Sequence, residues 1–211
     1  MKPELEDLFE SILDGQMGDV SRQVQYALDA GIEPEVILND SMVPAMTEVG
    51  LMFEDGVCFV PEMMISARAM QAGLGILKPY LKEHGVKPIG KVVIGTVEGD
   101  LHDIGKNLVT MMFEGAGFEV NDLGVDVKPE VFIESIQTVQ PQIVALSALL
   151  TTTTPKMKVS IDAMRDAGVL QNLKVMVGGA PVTAEFAQQI GADGYAPNAS
   201  QAASLARSFI T

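Results

Sequence analysis

Asp100, His102 and Asp103 sit together in Gly99-Asp100-Leu101-His102-Asp103-Ile104-Gly105, a histidine flanked by two carboxylates and closed at each end by glycine. An imidazole nitrogen is a good ligand for a borderline transition metal. A carboxylate on its other ring nitrogen fixes the tautomer and raises its basicity. The glycines let a bulky ligand approach the backbone. An ordinary turn histidine offers the same residue types, so this stretch alone admits both readings.

The flanking segments place the histidine. Lys91-Val92-Val93-Ile94-Gly95-Thr96-Val97 reads as a buried strand. Lys106-Asn107-Leu108-Val109-Thr110-Met111-Met112-Phe113 reads as an amphipathic helix. The histidine therefore belongs to a strand-to-helix turn, and in open α/β sheets ligands bind at the carboxyl ends of strands. Apolar strands are expected at 91–97, 118–123, 142–147, 173–177 and 193–196. Helices are expected near 103–116, 129–139, 155–167, 183–190 and 199–209. This alternation predicts a flavodoxin-like, Rossmann-like parallel sheet of strand order 2-1-3-4-5, with a ligand crevice between strands one and three. Strand one ends at the His102 turn and strand three ends at Ser147, so topology alone brings these two segments together.

Residues 1–86 read as all helix. Leu5, Leu8, Phe9, Ile12 and Leu13 recur at helical spacing. Gly15 to Gly18 break that helix. Asp19 or Ser21 is expected to cap a second one, which Gly31 ends. Pro34 opens a third, which Pro44 should kink or split. Pro61 opens a fourth that stops at His84-Gly85. A four-helix bundle cap is expected over 1–86, and a ligand-binding α/β domain over 87–211, with Val86-Lys87-Pro88-Ile89-Gly90 as the link.

Composition narrows the partners. The formal net charge is −14 over 211 residues. That excludes nucleic acid and anionic membranes as natural partners and favours basic protein surfaces. The single cysteine, Cys58, excludes an internal disulfide and a Cys-based zinc site, which fits a cytoplasmic protein. The acidic residues 1–15 have the wrong charge for a signal peptide. No apolar run reaches the ~18 residues of a membrane helix.

The spacing Asp-x-His-x-x-Gly resembles the His-on motif of the cobalamin-binding domain shared by methionine synthase, the corrinoid mutases and corrinoid methyl-transfer proteins. Three further segments resemble that family in the same order. They are Ser147-Ala148-Leu149-Leu150-Thr151, Val177-Gly178-Gly179-Ala180 and Tyr195-Ala196-Pro197-Asn198-Ala199-Ser200. The resemblance implies a cobalamin or related corrinoid, held as methylcobalamin or cob(I)alamin, with His102 as the lower axial ligand of cobalt. Asp100 would be the hydrogen-bond partner of His102, and Ser147 the next member of a relay that takes up a proton when the imidazole leaves cobalt. Gly99, Leu101, Asp103, Ile104 and Gly105 would flank the ring. Leu149, Thr151, Thr153, Gly178, Gly179, Ala180, Ala196, Asn198 and Ala199 would receive the nucleotide tail. Structural readings stand beside these. Ser147 could bond backbone at a strand end, Gly178-Gly179 could be a plain turn, and Thr151 or Thr153 could cap a helix at Pro155.

Phe53-Glu54-Asp55-Gly56-Val57-Cys58-Phe59-Val60-Pro61-Glu62 resembles the cap of methyl-carrying corrinoid proteins, with Phe53 and Val60 at the positions that cover the methyl group. Bundle core is the structural alternative. The resemblance implies a methyl carrier, not a complete enzyme, serving a substrate-specific methyltransferase and a second one whose acceptor is tetrahydrofolate or coenzyme M. A corrinoid-reactivating protein is a further partner. A cobalamin-dependent sensor, a mutase small subunit and an FMN-holding flavodoxin-like domain are the rival readings.

Overall fold

Apolar residues at helical spacing build the first part of the chain. The computed structural model describes residues 2–210. Helices α1 (Pro3–Leu13), α2 (Met17–Asp29), α3 (Pro34–Ile37), α4 (Val43–Glu54) and α5 (Val60–Glu83) follow one another through short turns. Leu5, Leu8, Ile12, Val20, Val24, Met42, Met46, Met63, Met70 and Leu77 are buried among them.

One detail departs from the sequence reading and a second gives an expected split its form. The second helix starts at Met17, and its N-cap Gln16 makes no side-chain cap. Asp19 lies inside its first turn, where a carboxylate favours the helix dipole. The Ser21 hydroxyl donates back to the Met17 carbonyl at 3.0 Å instead of capping. The split at Pro44 takes the form of a π-turn, Leu38–Met42, between α3 and α4. The Val43 N–H reaches the Leu38 carbonyl, one residue further back than in an α-helix. Proline lacks an N–H and its ring crowds the carbonyl four residues earlier, so the chain widens just ahead of it. The fourth long helix is closed at its start by Glu62, whose carboxylate accepts the Phe59 N–H at 3.0 Å.

From residue 91 the pattern is β1 (Lys91–Thr96), α6 (Ile104–Gly115), β2 (Glu119–Asp122), α7 (Pro129–Val139), β3 (Ile143–Ser147), α8 (Pro155–Asp166), β4 (Lys174–Gly178), α9 (Ala184–Ile190), β5 (Gly194–Tyr195) and α10 (Ala199–Ser208). All neighbouring strands are parallel, in the order β2-β1-β3-β4-β5. This is the order expected from the βα alternation. Val93, Val144, Leu146, Val175 and Val177 pack with Phe132 and Ile136 of α7 and with Met157, Ile161 and Met164 of α8. Strands this apolar can persist only with both faces covered.

The chain separates into two compact units. The first extends to Pro88 and takes in Glu114–Gly117; the second holds Ile89–Phe113 and the chain from Phe118 on. Residues 86–88 carry no regular structure. Among the described residues no helix is long and apolar enough to cross a membrane.

Candidate functional site

Where β1 ends, the chain turns through residues 97–103 into α6. Val97 still bonds the neighbouring strand, its N–H donating to the Ser147 carbonyl at 3.0 Å. Gly99 then takes φ +82°, a conformation that L side chains resist, and the backbone reverses. The reversal drives Asp100 inward until its side chain is completely buried.

A buried carboxylate survives only if its oxygens are satisfied. Oδ1 of Asp100 accepts the His102 N–H at 3.1 Å and the His102 Nδ1–H at 2.7 Å. Oδ2 accepts the Leu149 N–H at 2.8 Å, the Leu150 N–H at 3.3 Å and the Thr153 hydroxyl at 2.5 Å. Burial by itself would push the Asp100 carboxyl up. The donors, led by the Thr153 hydroxyl and then by the Leu149 N–H and His102, outweigh burial and hold it well below the usual carboxylate range. Asp100 is therefore ionised, and an ionised carboxylate can only accept. This assigns the proton of neutral His102 to Nδ1 and leaves a lone pair on Nε2. The ring is 47% exposed, so that lone pair is available to a ligand-seeking metal. The Thr96 hydroxyl donates to the His102 carbonyl at 2.9 Å and anchors the backbone below the ring.

The structure redistributes the roles expected from sequence. Among the described residues the hydroxyl that bonds Asp100 is that of Thr153 and not that of Ser147. Ser147 is still part of β3, in register with Thr96 of β1, and its hydroxyl bonds no group among the described residues. The loop after it folds back over Asp100 and delivers the Leu149 and Leu150 N–H groups and the Thr153 hydroxyl. Neither Thr151 nor Thr153 caps α8. Thr151 is exposed, and the N-cap Thr154 donates to the Leu150 carbonyl at 2.8 Å without accepting an N–H of the helix. Asp103, immediately ahead of α6, accepts from Asn107 Nδ2 at 3.1 Å.

Gly178 ends β4 in register with Ser147 of β3, and Gly179 and Ala180 follow it. The Ala148 N–H reaches the Gly178 carbonyl at 3.3 Å. A side chain at Gly179, which has φ +130°, would begin 1.9 Å from the Ala148 carbonyl oxygen. That glycine is required by the protein's own backbone. Asn198 Oδ1 accepts the Gln201 N–H at 2.8 Å and so caps α10, while Ala196 and Ala199 are buried. Phe53, half-buried, and Val60, exposed, lie in the first unit at the end of α4 and the start of α5. Sequence reading missed Thr96, whose hydroxyl braces the turn from six residues away, and Asp126, which braces it from 27 residues away. Nothing in a single sequence marks a threonine in mid-strand or an aspartate in a loop for that purpose.

The residues present fit a corrin ring on an axial imidazole. Leu101 and Ile104 are each 71% exposed beside His102, and Leu149 and Leu150 also show to solvent. These are apolar side chains that a flat macrocycle could cover. A Cβ built at Gly105 meets no atom within 4 Å, although the residue lies in the first turn of α6 and has no positive φ. Nothing in the protein demands glycine there, and in a helix glycine costs ~0.5–1 kcal/mol relative to alanine. Gly105→Ala should therefore leave the cobalamin-free chain equally or more stable in urea denaturation while weakening cobalamin binding. Equal affinity of both proteins in a titration would show that the open space is not used. Among the described residues no three His, Cys, Asp or Glu side chains are grouped to hold a metal ion, so His102 offers one protein ligand. The corrin ring would supply the remaining nitrogen donors.

Comparisons with known proteins show the family. Residues 90–204 match a family described as B12 binding domain, and residues 4–78 match a second family of the same description. A corrinoid protein of Desulfitobacterium hafniense (strain Y51) is 40% identical over 98% of this chain and 97% of its own length. Dimethylamine corrinoid protein 1 of Methanosarcina acetivorans is 43% identical over 85% of this chain and 84% of its own. Among solved structures, the methanol:cobalamin methyltransferase complex of Methanosarcina barkeri aligns at a TM-score of 0.87 and 32% identity, covering 100% of this chain and 80% of that one. With both parts of the sequence matched and relatives of this identity along its length, the chain belongs to the B12-binding corrinoid proteins.

Proposed function

We propose that the chain is a methyl carrier. It would hold a corrinoid whose methyl group is loaded by a substrate-specific methyltransferase and removed by a second methyltransferase, with tetrahydrofolate or coenzyme M as acceptor. When bound, cobalamin supplies a cobalt atom that accepts and releases a methyl group. His102 Nε2 would hold the cobalt. Asp100 keeps the proton on Nδ1 and sets the ring plane, and Thr153 stabilises the ionised Asp100. Leu101, Ile104 and Leu149 shield the ring from water. The Ser147 hydroxyl is free to bond the nucleotide tail. Nothing in the site would activate a methyl donor, which assigns that task to a partner.

The observation that carries the reading is the buried, ionised Asp100, which leaves the Nε2 lone pair of His102 facing outward. The relatives named for dimethylamine and trimethylamine support the methylamine branch equally in identity, at 43% and 42%. The acidic surface favours basic partner faces. The test loads the purified chain with hydroxocobalamin and supplies methyltransferases for dimethylamine, trimethylamine and methanol in turn. Methylation of the bound corrinoid by one of them is the expected result. A corrin spectrum with no methylation by any of them would favour a sensor over a carrier. For Phe53 and Val60 the proposed role is protection of the methyl group, which requires faster photolysis of bound methylcobalamin in Phe53→Ala.

A further inference from the structure

Asp126 lies in the loop between β2 and α7. It is exposed, yet it adopts φ +54°, which costs a non-glycine residue ~1 kcal/mol. Among the described residues two other non-glycine residues have positive φ, and both lie elsewhere: Gln140 ends α7 as its C-cap, and Asn172 sits in the turn before β4. Asp126 serves neither purpose. Its carboxylate Oδ1 accepts the Gly99 N–H at 2.7 Å, and its own N–H donates to the Asp100 carbonyl at 2.9 Å. The two bonds grip the Gly99–Asp100 segment from both sides. The loop is itself held to β1. The Thr96 N–H donates to the Gly124 carbonyl at 3.0 Å, the Val127 N–H donates to the Thr96 carbonyl at 2.9 Å, and Val97 bridges Val127 in parallel.

A strained, exposed residue that gains nothing from packing owes its conformation to these bonds. Sparsely populated backbone conformations persist where the surroundings over-determine them, and they cluster at functional sites. The Gly99–Asp100 backbone determines where Asp100 Oδ1 meets His102 Nδ1. We propose that Asp126 is a positioning residue for His102, acting through the Gly99–Asp100 backbone to hold the imidazole plane in place before the corrinoid arrives. The proposal rests on the reading of His102 as axial ligand. It goes beyond that reading by assigning part of the ring's orientation to a loop on the far side of β1. Preorganisation of this kind reduces the ordering cost of binding.

The test compares Asp126→Gly with Asp126→Asn. Glycine relieves the φ cost but deprives the Gly99 N–H of its acceptor; asparagine tolerates the φ and keeps an acceptor oxygen. A residue needed only for loop conformation would be replaced by glycine without loss. The first readout is the His102 ring in the cobalamin-free chain, followed by nitrogen NMR. In Asp126→Gly the Nδ1–H is expected to exchange with water ~10-fold or more faster than in wild type, with no fall in the urea midpoint, and in Asp126→Asn at the wild-type rate. The second readout is the ring-nitrogen splitting in the electron paramagnetic resonance of the cobalt(II) form. It is expected intact in wild type and Asp126→Asn and broadened or lost in Asp126→Gly. Identical exchange and splitting in wild type and Asp126→Gly overturn the proposal. Equal loss in both variants also overturns it, because charge and not the bond would then be responsible. Absence of splitting in the wild type would refute His102 as ligand, while the exchange comparison still decides whether Asp126 orients the ring. Should Asp126→Gly fail to fold, hydrogen exchange at Gly99 in the wild type and Asp126→Asn decides: a protected amide supports the clamp and an unprotected one overturns it.

Discussion

His102→Ala should fold normally, bind cobalamin ~10–100-fold more weakly and show no ring-nitrogen splitting in the cobalt(II) state. The fold is spared because the imidazole is half-exposed and because Asp100 keeps the Leu149 and Leu150 N–H groups, the Thr153 hydroxyl and the backbone N–H of residue 102. Loss of one neutral donor costs ~1 kcal/mol. Asp100→Asn should behave in the opposite way. Both oxygens of Asp100 accept, so an amide must turn its NH2 group toward donors on one side. Leaving buried donors unpaired costs ~1–3 kcal/mol each, which urea denaturation of the cobalamin-free chain would register. The pair of variants separates ligation from architecture. Unchanged splitting in His102→Ala would remove His102 from the coordination sphere and leave it a turn residue.

Gly179→Ala should be the most damaging single methyl group in the sheet unit. Its Cβ would lie 1.9 Å from the Ala148 carbonyl oxygen and 3.0 Å from the Ala148 carbonyl carbon, at φ +130°. Backbone cannot move aside as a side-chain tip can. Backbone strain at such a φ costs of order 1–3 kcal/mol, and the clash adds to it, so a loss of about 3 kcal/mol or more is expected in denaturant unfolding. The carboxyl ends of β3 and β4 would also part, displacing Leu149 and Leu150 from Asp100, so cobalamin binding should fall with stability. Gly105→Ala, which adds the same methyl group to open space, is the control. A similar loss of stability in the two variants would mean that the β3–β4 contact is not what requires glycine at 179.

The bundle and the alternating βα segment were both legible in the chain, because their apolar periods, 3.6 and near-continuous, are local properties. The strand order followed from the run of five βα units, which is the flavodoxin-like pattern. The His102 turn was legible for the same reason: Asp100 and His102 lie two residues apart on one turn, so their contact needs no knowledge of the rest. Helix starts were less legible. Gln16 precedes α2 although Asp19 and Ser21 are better capping residues, because burial of Val20 and Val24 decided where the helix begins.

The amino-acid sequence by itself determined that a histidine with a carboxylate two residues away stands at the end of the first strand of the α/β part, in a chain with one cysteine and strong acidity. The tertiary structure decided which hydroxyl completes the site. Ser147 ends the third strand and Thr153 lies in the loop beyond it, and only the path of that loop selects between them. It leaves Ser147 in the ladder beside Thr96 and folds Leu149, Leu150 and Thr153 onto Asp100. The same holds for the bond from Asp126 to Gly99, which joins residues 27 apart in the chain. A buried carboxylate must find several donors at once. Those donors come from segments that meet only when the parallel sheet has formed, so no local pattern encodes them.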